Sequence, residues 1–174
     1  MRNTEKQKKI SIGVEDFKEI IDKDGYFVDK TLMIQELLES NAKVILFTRP
    51  RRFGKTLNQF MIRRFFEDEI TEKGEKVDNG YLFDGLAITR CGEEIMQHQQ
   101  RYPVIFMSLK SAKQDSYDMA YASLIDEISK EFKRHAYLLQ GESLSPKEKQ
   151  EFQLVMDKEA QPIAYAKALG FLSE

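Results

Sequence analysis

An α/β fold, with strands alternating with helices, is what this sequence predicts, and three observations carry the expectation. The run Val44-Ile45-Leu46-Phe47 is four apolar or β-branched residues long and reads as a strand covered on both faces. A second run, Val104-Ile105-Phe106-Met107-Ser108, has the same character. Between and after them lie segments whose apolar residues recur at three- and four-residue steps, the period of an amphipathic helix.

Taken in order, residues 1–9 are polar and are expected to be a mobile N-terminus, leaving 10–174 as the folded part. Val14, Phe17, Ile20 and Ile21 sit at helical spacing, and Asp24-Gly25 turns the chain. Tyr26-Phe27-Val28 reads as a brief extended segment. Asp29 or Thr31 then caps a helix that buries Leu32, Ile34, Leu37 and Leu38 and ends near Ser40-Asn41. After the first strand a helix from about Thr56 to Phe66 buries Leu57, Phe60, Met61 and Phe65, with Arg63 and Arg64 partly outward.

Thr71–Asn79 is a charged connector, Tyr81–Gly85 a tight packed loop and Glu93–Gln100 a weak helix. Asp115 or Ser116 opens the longest helix, with Tyr121, Leu124, Ile125, Ile128 and Phe132 on one face and Gly141 at or just past its end. Ser145-Pro146-Lys147-Glu148 is a capping box with proline at the first helical position. Pro162 starts a last helix with Ile163, Tyr165, Ala166, Leu169 and Leu172.

The chemistry is concentrated where the first strand meets its helix. Gly54-Lys55-Thr56 matches the last three positions of the phosphate-binding pattern G-x-x-x-x-G-K-[ST]. A glycine there lets the backbone approach the phosphates, a lysine neutralises β/γ charge and a threonine offers its hydroxyl to Mg²⁺. The helix that follows points its partly positive N-terminus at the same anion. The first glycine of the pattern is replaced by Arg49, and Pro50 brings no N–H. Arg51 and Arg52 add positive charge where small residues are usual. Phe53 is expected to be at least half buried, so that its ring rigidifies a loop lacking the first glycine.

The run Phe47-Thr48-Arg49-Pro50-Arg51-Arg52-Phe53-Gly54-Lys55-Thr56-Leu57-Asn58 resembles the bacterial AAA-ATPase-like family of uncharacterised P-loop proteins, which carry an R-P-R-R-F-G-K-[ST] loop. The resemblance extends upstream to Ile12–Phe17 and Tyr26–Thr31, and downstream to Leu82–Leu86 and Tyr102–Leu109. It implies a partial P-loop NTPase-like sheet with flanking helices. It also implies ATP and Mg²⁺ as ligands, with Arg49, Arg51, Arg52, Phe53, Gly54, Lys55, Thr56 and Leu57 forming the nucleotide site and Thr56 facing the metal. In longer relatives a nuclease-like domain follows, which makes nucleic acid a partner there.

No apolar run ending in Asp-Glu follows Thr56, so the acidic strand that would hold Mg²⁺ is missing and hydrolysis by this chain alone is not expected. The expectation is therefore the N-terminal half of the module, cut before its acidic strand. The two strands would then leave a gap or find improvised partners, with an open apolar edge. A second reading is a non-catalytic module whose arginine-rich loop binds nucleic acid or an acidic protein surface.

The 174 residues suggest about one domain, and 41% hydrophobic with 11% aromatic residues supports a packed core. Net charge is only −2, so no overall field favours nucleic acid or membranes. Positive charge is local: Arg49, Arg51, Arg52, Lys55, Arg63 and Arg64 come before the next acid, Glu67. Cys91 stands alone, the opening residues lack an apolar signal core and no window approaches a membrane span, so a cytoplasmic protein is expected. His98 and His135 have no partners at metal-ligand spacing, and Asp84-Gly85 reads as a turn. Asp29-Lys30-Thr31 fits helix capping as well as a ligand contact. Ser108 suffices as a strand-end polar residue, and Tyr117, Tyr121 and Tyr137 suit helix packing.

Overall fold

The computed structural model describes residues 8–173. Along them run α1 (Phe17–Asp22), α2 (Leu32–Glu39), α3 (Lys55–Phe66), α4 (Glu93–Met96), α5 (Tyr117–Arg134), α6 (Pro146–Met156) and α7 (Pro162–Ser173), with 3-10 turns between them. The chain divides into two compact units, Met1–Asp68 with Asp78–Val104, and Glu69–Val77 with Ile105–Glu174. Of the stretch expected to be mobile, residues 1–7 lie outside the described residues. Lys8 is ion-paired to Asp24 at 3.0 Å, and the Lys9 carbonyl accepts from the Tyr26 N–H.

In the first unit α1 starts where the Asp16 carboxylate accepts the Lys18 N–H at 2.8 Å, satisfying one of the orphan donors of a helix start. Phe17, Ile34, Met61, Phe65, Leu82, Phe83 and Ile88 are fully or almost fully enclosed and form one core. Its centre is aromatic. The Phe83 ring packs against Phe17 at 5.2 Å and edge-on against Phe65 at 5.3 Å, the separations at which aromatic pairs attract beyond simple burial. This core sits against one face of α3 and thereby fixes where the N-terminus of that helix lies.

Asp29 ties two elements of this unit together. Its carboxylate accepts from the Thr31 N–H, the Thr31 hydroxyl and the Ala87 N–H at 2.7–2.9 Å, and Thr31 Oγ1 in turn accepts from the Ile88 N–H. Burial pushes the Asp29 carboxyl up, but these donors and the nearby Arg90 outweigh it and hold it below the usual range. Asp29-Lys30-Thr31 thus joins the start of α2 to the 3-10 turn Ala87–Arg90.

The predicted sheet is not there. Among the described residues the chain is helical, with no strand and three single backbone bridges, Lys9 to Gly25, Glu67 to Tyr102 and Ile70 to Lys76. The α/β assignment and the partial P-loop-type sheet are therefore corrected to an all-helical arrangement of these residues. Val44–Phe47 shows why the sequence misled. Exposure alternates along the run, 85% at Val44, 39% at Ile45, 83% at Leu46 and 41% at Phe47, which is the period of a strand. The run is nevertheless in no ladder, because a strand exists only when a neighbour takes its N–H and C=O groups.

The second unit contains α5, α6 and α7 around Ile128, Phe132, Phe152, Val155, Tyr165 and Ala168. Ser116 caps α5 through the Met119 N–H, and the Ser145/Glu148 capping box with Pro146 opens α6 as the spacing predicts. The longest helix stops at Arg134, well before Gly141, and a 3-10 turn over Ala136–Leu139 intervenes. Ser108 caps a further 3-10 turn, Leu109–Ala112, rather than closing a strand. Tyr117 departs from the packing expectation: it is 79% exposed and stacks on Tyr121 at 5.9 Å.

Val104–Met107 also forms no strand. The Phe106 N–H is met instead by the buried Glu131 carboxylate at 2.7 Å. That carboxylate also accepts from Arg134 at 2.5 Å and lies 3.4 Å from His135 Nε2. Burial alone would raise its pKa. The His135 contact, the Phe106 N–H and the Arg134 charge together lower it below the ordinary glutamate value of 4.5. Glu131 therefore stabilises the fold at and above that value. The contribution is expected to fade as pH falls from about 4.5 through the lower folded-state pKa. Denaturant melts of wild type and Glu131→Gln across pH 3–7 check this: the acid-side loss of stability should be shallower in the variant. Equal slopes would show that Glu131 does not carry it.

Candidate phosphate-binding loop

The loop begins at the end of the exposed Val44–Phe47 run and closes on α3. Gly54 is the residue before the helix and has φ +71°, ψ +22°, the left-handed region that glycine enters without a side-chain penalty. A Cβ there would meet nothing within 4 Å, so the backbone faces open space. The first turn is closed by the Asn58 N–H donating to the Gly54 carbonyl at 2.9 Å. The N–H groups of Lys55, Thr56 and Leu57 precede that bond and have no intrahelical acceptor, as at any helix start.

Lys55 folds its ammonium back over the loop and donates to the carbonyls of Arg49 at 2.6 Å and Pro50 at 3.0 Å. The charge at the helix start is thus held by the loop's own backbone oxygens. Leu57 is partly buried and packs on the core, so its side chain anchors α3 and only its backbone N–H belongs to the loop. Thr56 is partly buried, and among the described residues its hydroxyl makes no hydrogen bond.

Two expectations about this region are corrected. The Phe53 ring is 59% exposed, not half buried, and it does not pack on the core under α3, which Leu57, Phe60, Met61 and Phe65 contact. Arg63 and Arg64 do not extend the cationic surface. Arg64 is buried and lies 3.5 Å from the Asp16 carboxylate, while Arg63 is paired with the buried Glu67 at 2.7 Å. By contrast, Arg49, Arg51, Arg52 and Lys55 are all exposed, and none has an acidic partner among the described residues.

Arg52 has φ +67°, which a residue with a side chain adopts at a cost of about 1 kcal/mol or more. Arg52→Gly is expected to melt no lower than wild type, since relief of strain offsets glycine's greater unfolded-state freedom. Arg52→Val should lose about 1 kcal/mol. Thermal melts of both variants check the order.

Beside Lys55 lies a small cavity of about 40 Å³. Phe47, Met33 and Ile62 give it apolar walls, and Arg49, Asn58 and Gln59 join Lys55 in supplying polar groups. Lys55, Asn58, Gln59 and Ile62 fall at helical steps on one face of α3, so the spacing alone carried that signal. Met33 comes from α2, and nothing local to the motif points to it. His98 and His135 bond to tyrosines, and no group of three or more His, Cys, Asp or Glu side chains among the described residues is arranged to hold a metal. No helix of the described residues is long and apolar enough to cross a membrane.

The loop thus combines a glycine-entered helix start with four exposed cations, of which Arg49 and Lys55 line the cavity. Residues 11–164 match the model of the AAA-ATPase-like family, described as "Predicted AAA-ATPase", and the chain belongs to that family. The family name suggests a nucleotide-binding function. The chain is also similar to a protein of Azotobacter chroococcum mcd 1 described as "Uncharacterized protein in vnfD 5'region", 34% identical over 103 residues. That match covers 59% of this chain and 17% of the Azotobacter protein, so the chain matches about a sixth of that relative's length. No solved structure matches.

Proposed function

We propose that this chain binds ATP through the loop Arg49–Leu57, as the phosphate-receiving part of an AAA-ATPase-like module. The observation that carries the reading is the combination at the start of α3: Gly54 in a left-handed turn, N–H groups at the helix start, and Lys55 with its ammonium over the loop carbonyls. Lys55 would exchange those carbonyls for β/γ-phosphate oxygens, and Arg49, Arg51 and Arg52 would line the remaining negative charge. Asn58 and Gln59 place amides beside the same cavity.

The residues around the loop do not fit a Mg²⁺ ion well. Mg²⁺ takes six oxygens and is usually held by one or two carboxylates together with substrate phosphates. Here the cavity beside Lys55 is lined by no carboxylate, Thr56 is not among its lining residues, and no acid occurs in sequence between Glu39 and Glu67. The reading is therefore binding without hydrolysis by this chain. Titration with a fluorescent ATP analogue tests it: saturable binding competed by unlabelled ATP is expected, and no competition would overturn the assignment.

A second reading has one observation in its favour, the exposed Phe53 ring between Arg52 and Gly54. Aromatic rings beside cations form stacking platforms for single-stranded nucleic acid. Binding to single-stranded DNA that falls steeply with salt and ignores ATP is what this reading expects. DNA binding absent at low salt would remove it.

A further inference from the structure

We infer that the loop takes its polyphosphate ligand as the metal-free anion, with arginine and lysine supplying the charge that a divalent cation supplies elsewhere. The inference rests on the ATP-site reading above and specifies the form in which the ligand binds.

The argument is one of charge and donor type. Four cations, Arg49, Arg51, Arg52 and Lys55, fall within the seven residues 49–55 and are all exposed. None is matched by an acid among the described residues, whereas Arg63 and Arg64 a few residues on are both committed to carboxylates. The fold thus neutralises the arginines of the helix and leaves those of the loop uncompensated. A triphosphate in its fully ionised state carries a similar amount of opposite charge. Guanidinium groups match phosphate oxygens in pairs of hydrogen bonds and keep their charge at any physiological pH.

A divalent cation brought in with the ligand would meet the opposite environment. The cavity wall offers it no carboxylate, and Thr56, whose hydroxyl the motif would lend it, is not among the lining residues. It would also stand close to Arg49 and Lys55, which line the cavity and whose charge repels it, and would compete with them for phosphate oxygens. Arg49 at the place of the usual first glycine therefore has a consequence for chemistry as well as for backbone shape: a charge is added where the pattern ordinarily has no side chain.

The test is the affinity of a fluorescent ATP analogue for the whole chain, measured in EDTA and in excess Mg²⁺ at matched ionic strength. Binding in EDTA is expected to be at least as tight as in Mg²⁺. The double variant Arg49→Gln with Arg51→Gln should bind about tenfold or more weakly in EDTA, since each lost charged hydrogen bond is worth roughly tenfold. Its melting temperature serves as the control for folding, because both side chains are exposed. Affinity that collapses at least tenfold in EDTA and returns with Mg²⁺ would overturn the inference while leaving the ATP site standing. Wild-type protein that binds the analogue under neither condition would overturn both.

Discussion

Lys55→Ala is expected to weaken binding of a fluorescent ATP analogue by about 100-fold while leaving the fold intact. The size follows from the bond lost: a hydrogen bond to a charged group is worth about 1.5–3 kcal/mol, and 1.4 kcal/mol is a factor of ten. The fold should survive because the Lys55 side chain is exposed, and its hydrogen bonds go to the Arg49 and Pro50 carbonyls. Those residues are exposed as well, so their oxygens turn to water when the ammonium is removed. Stability should change by no more than about 0.5 kcal/mol, as for most surface substitutions. A circular-dichroism melt beside the binding titration separates the two effects. A folded variant with unchanged affinity would show that the ligand's phosphates are not held at the start of α3.

The largest expected loss of stability is at Phe65. Its ring is fully enclosed, edge-on to Phe83 at 5.3 Å and to Phe66 at 5.2 Å. Phe65→Ala removes the ring and leaves a cavity in the centre of the first unit, at a cost of about 3–5 kcal/mol. That is a large share of the total stability of an ordinary domain. Because this core fixes the buried face of α3, nucleotide affinity should fall with folded fraction and recover at low temperature, where the variant refolds. Phe65→Leu, which keeps much of the volume, should lose less. A melting temperature unchanged in Phe65→Ala would contradict the packing described for this unit.

The two variants probe different ends of one helix, and they separate what was legible early from what was not. The start of α3 was legible: a glycine in a left-handed turn opens the helix, for a reason of backbone freedom that acts within a few residues. The same holds for the capping box at Ser145 and Glu148 and for the periodic face of α5, where each residue's role depends on neighbours three or four positions away.

What a distant partner decides was not legible. Val44–Phe47 has the residues and the alternating exposure of a strand, yet pairing depends on a neighbour that local sequence does not name. Phe106 looked like a strand residue as well, and its N–H is taken by a glutamate twenty-five positions on. Arg63 and Arg64 looked like part of a cationic surface until Glu67 and Asp16 proved to meet them. By itself the sequence determined the glycine-entered start of α3, the capping box at Ser145 and Glu148 and the periodic face of α5, because those follow from local geometry. Leu32, expected to be buried by α2, is by contrast 47% exposed. Only the tertiary structure decided which backbone groups are paired, which cations are neutralised and whether Phe53 faces the core or water. Each of those outcomes depends on groups far apart along the chain, whose approach is set by packing.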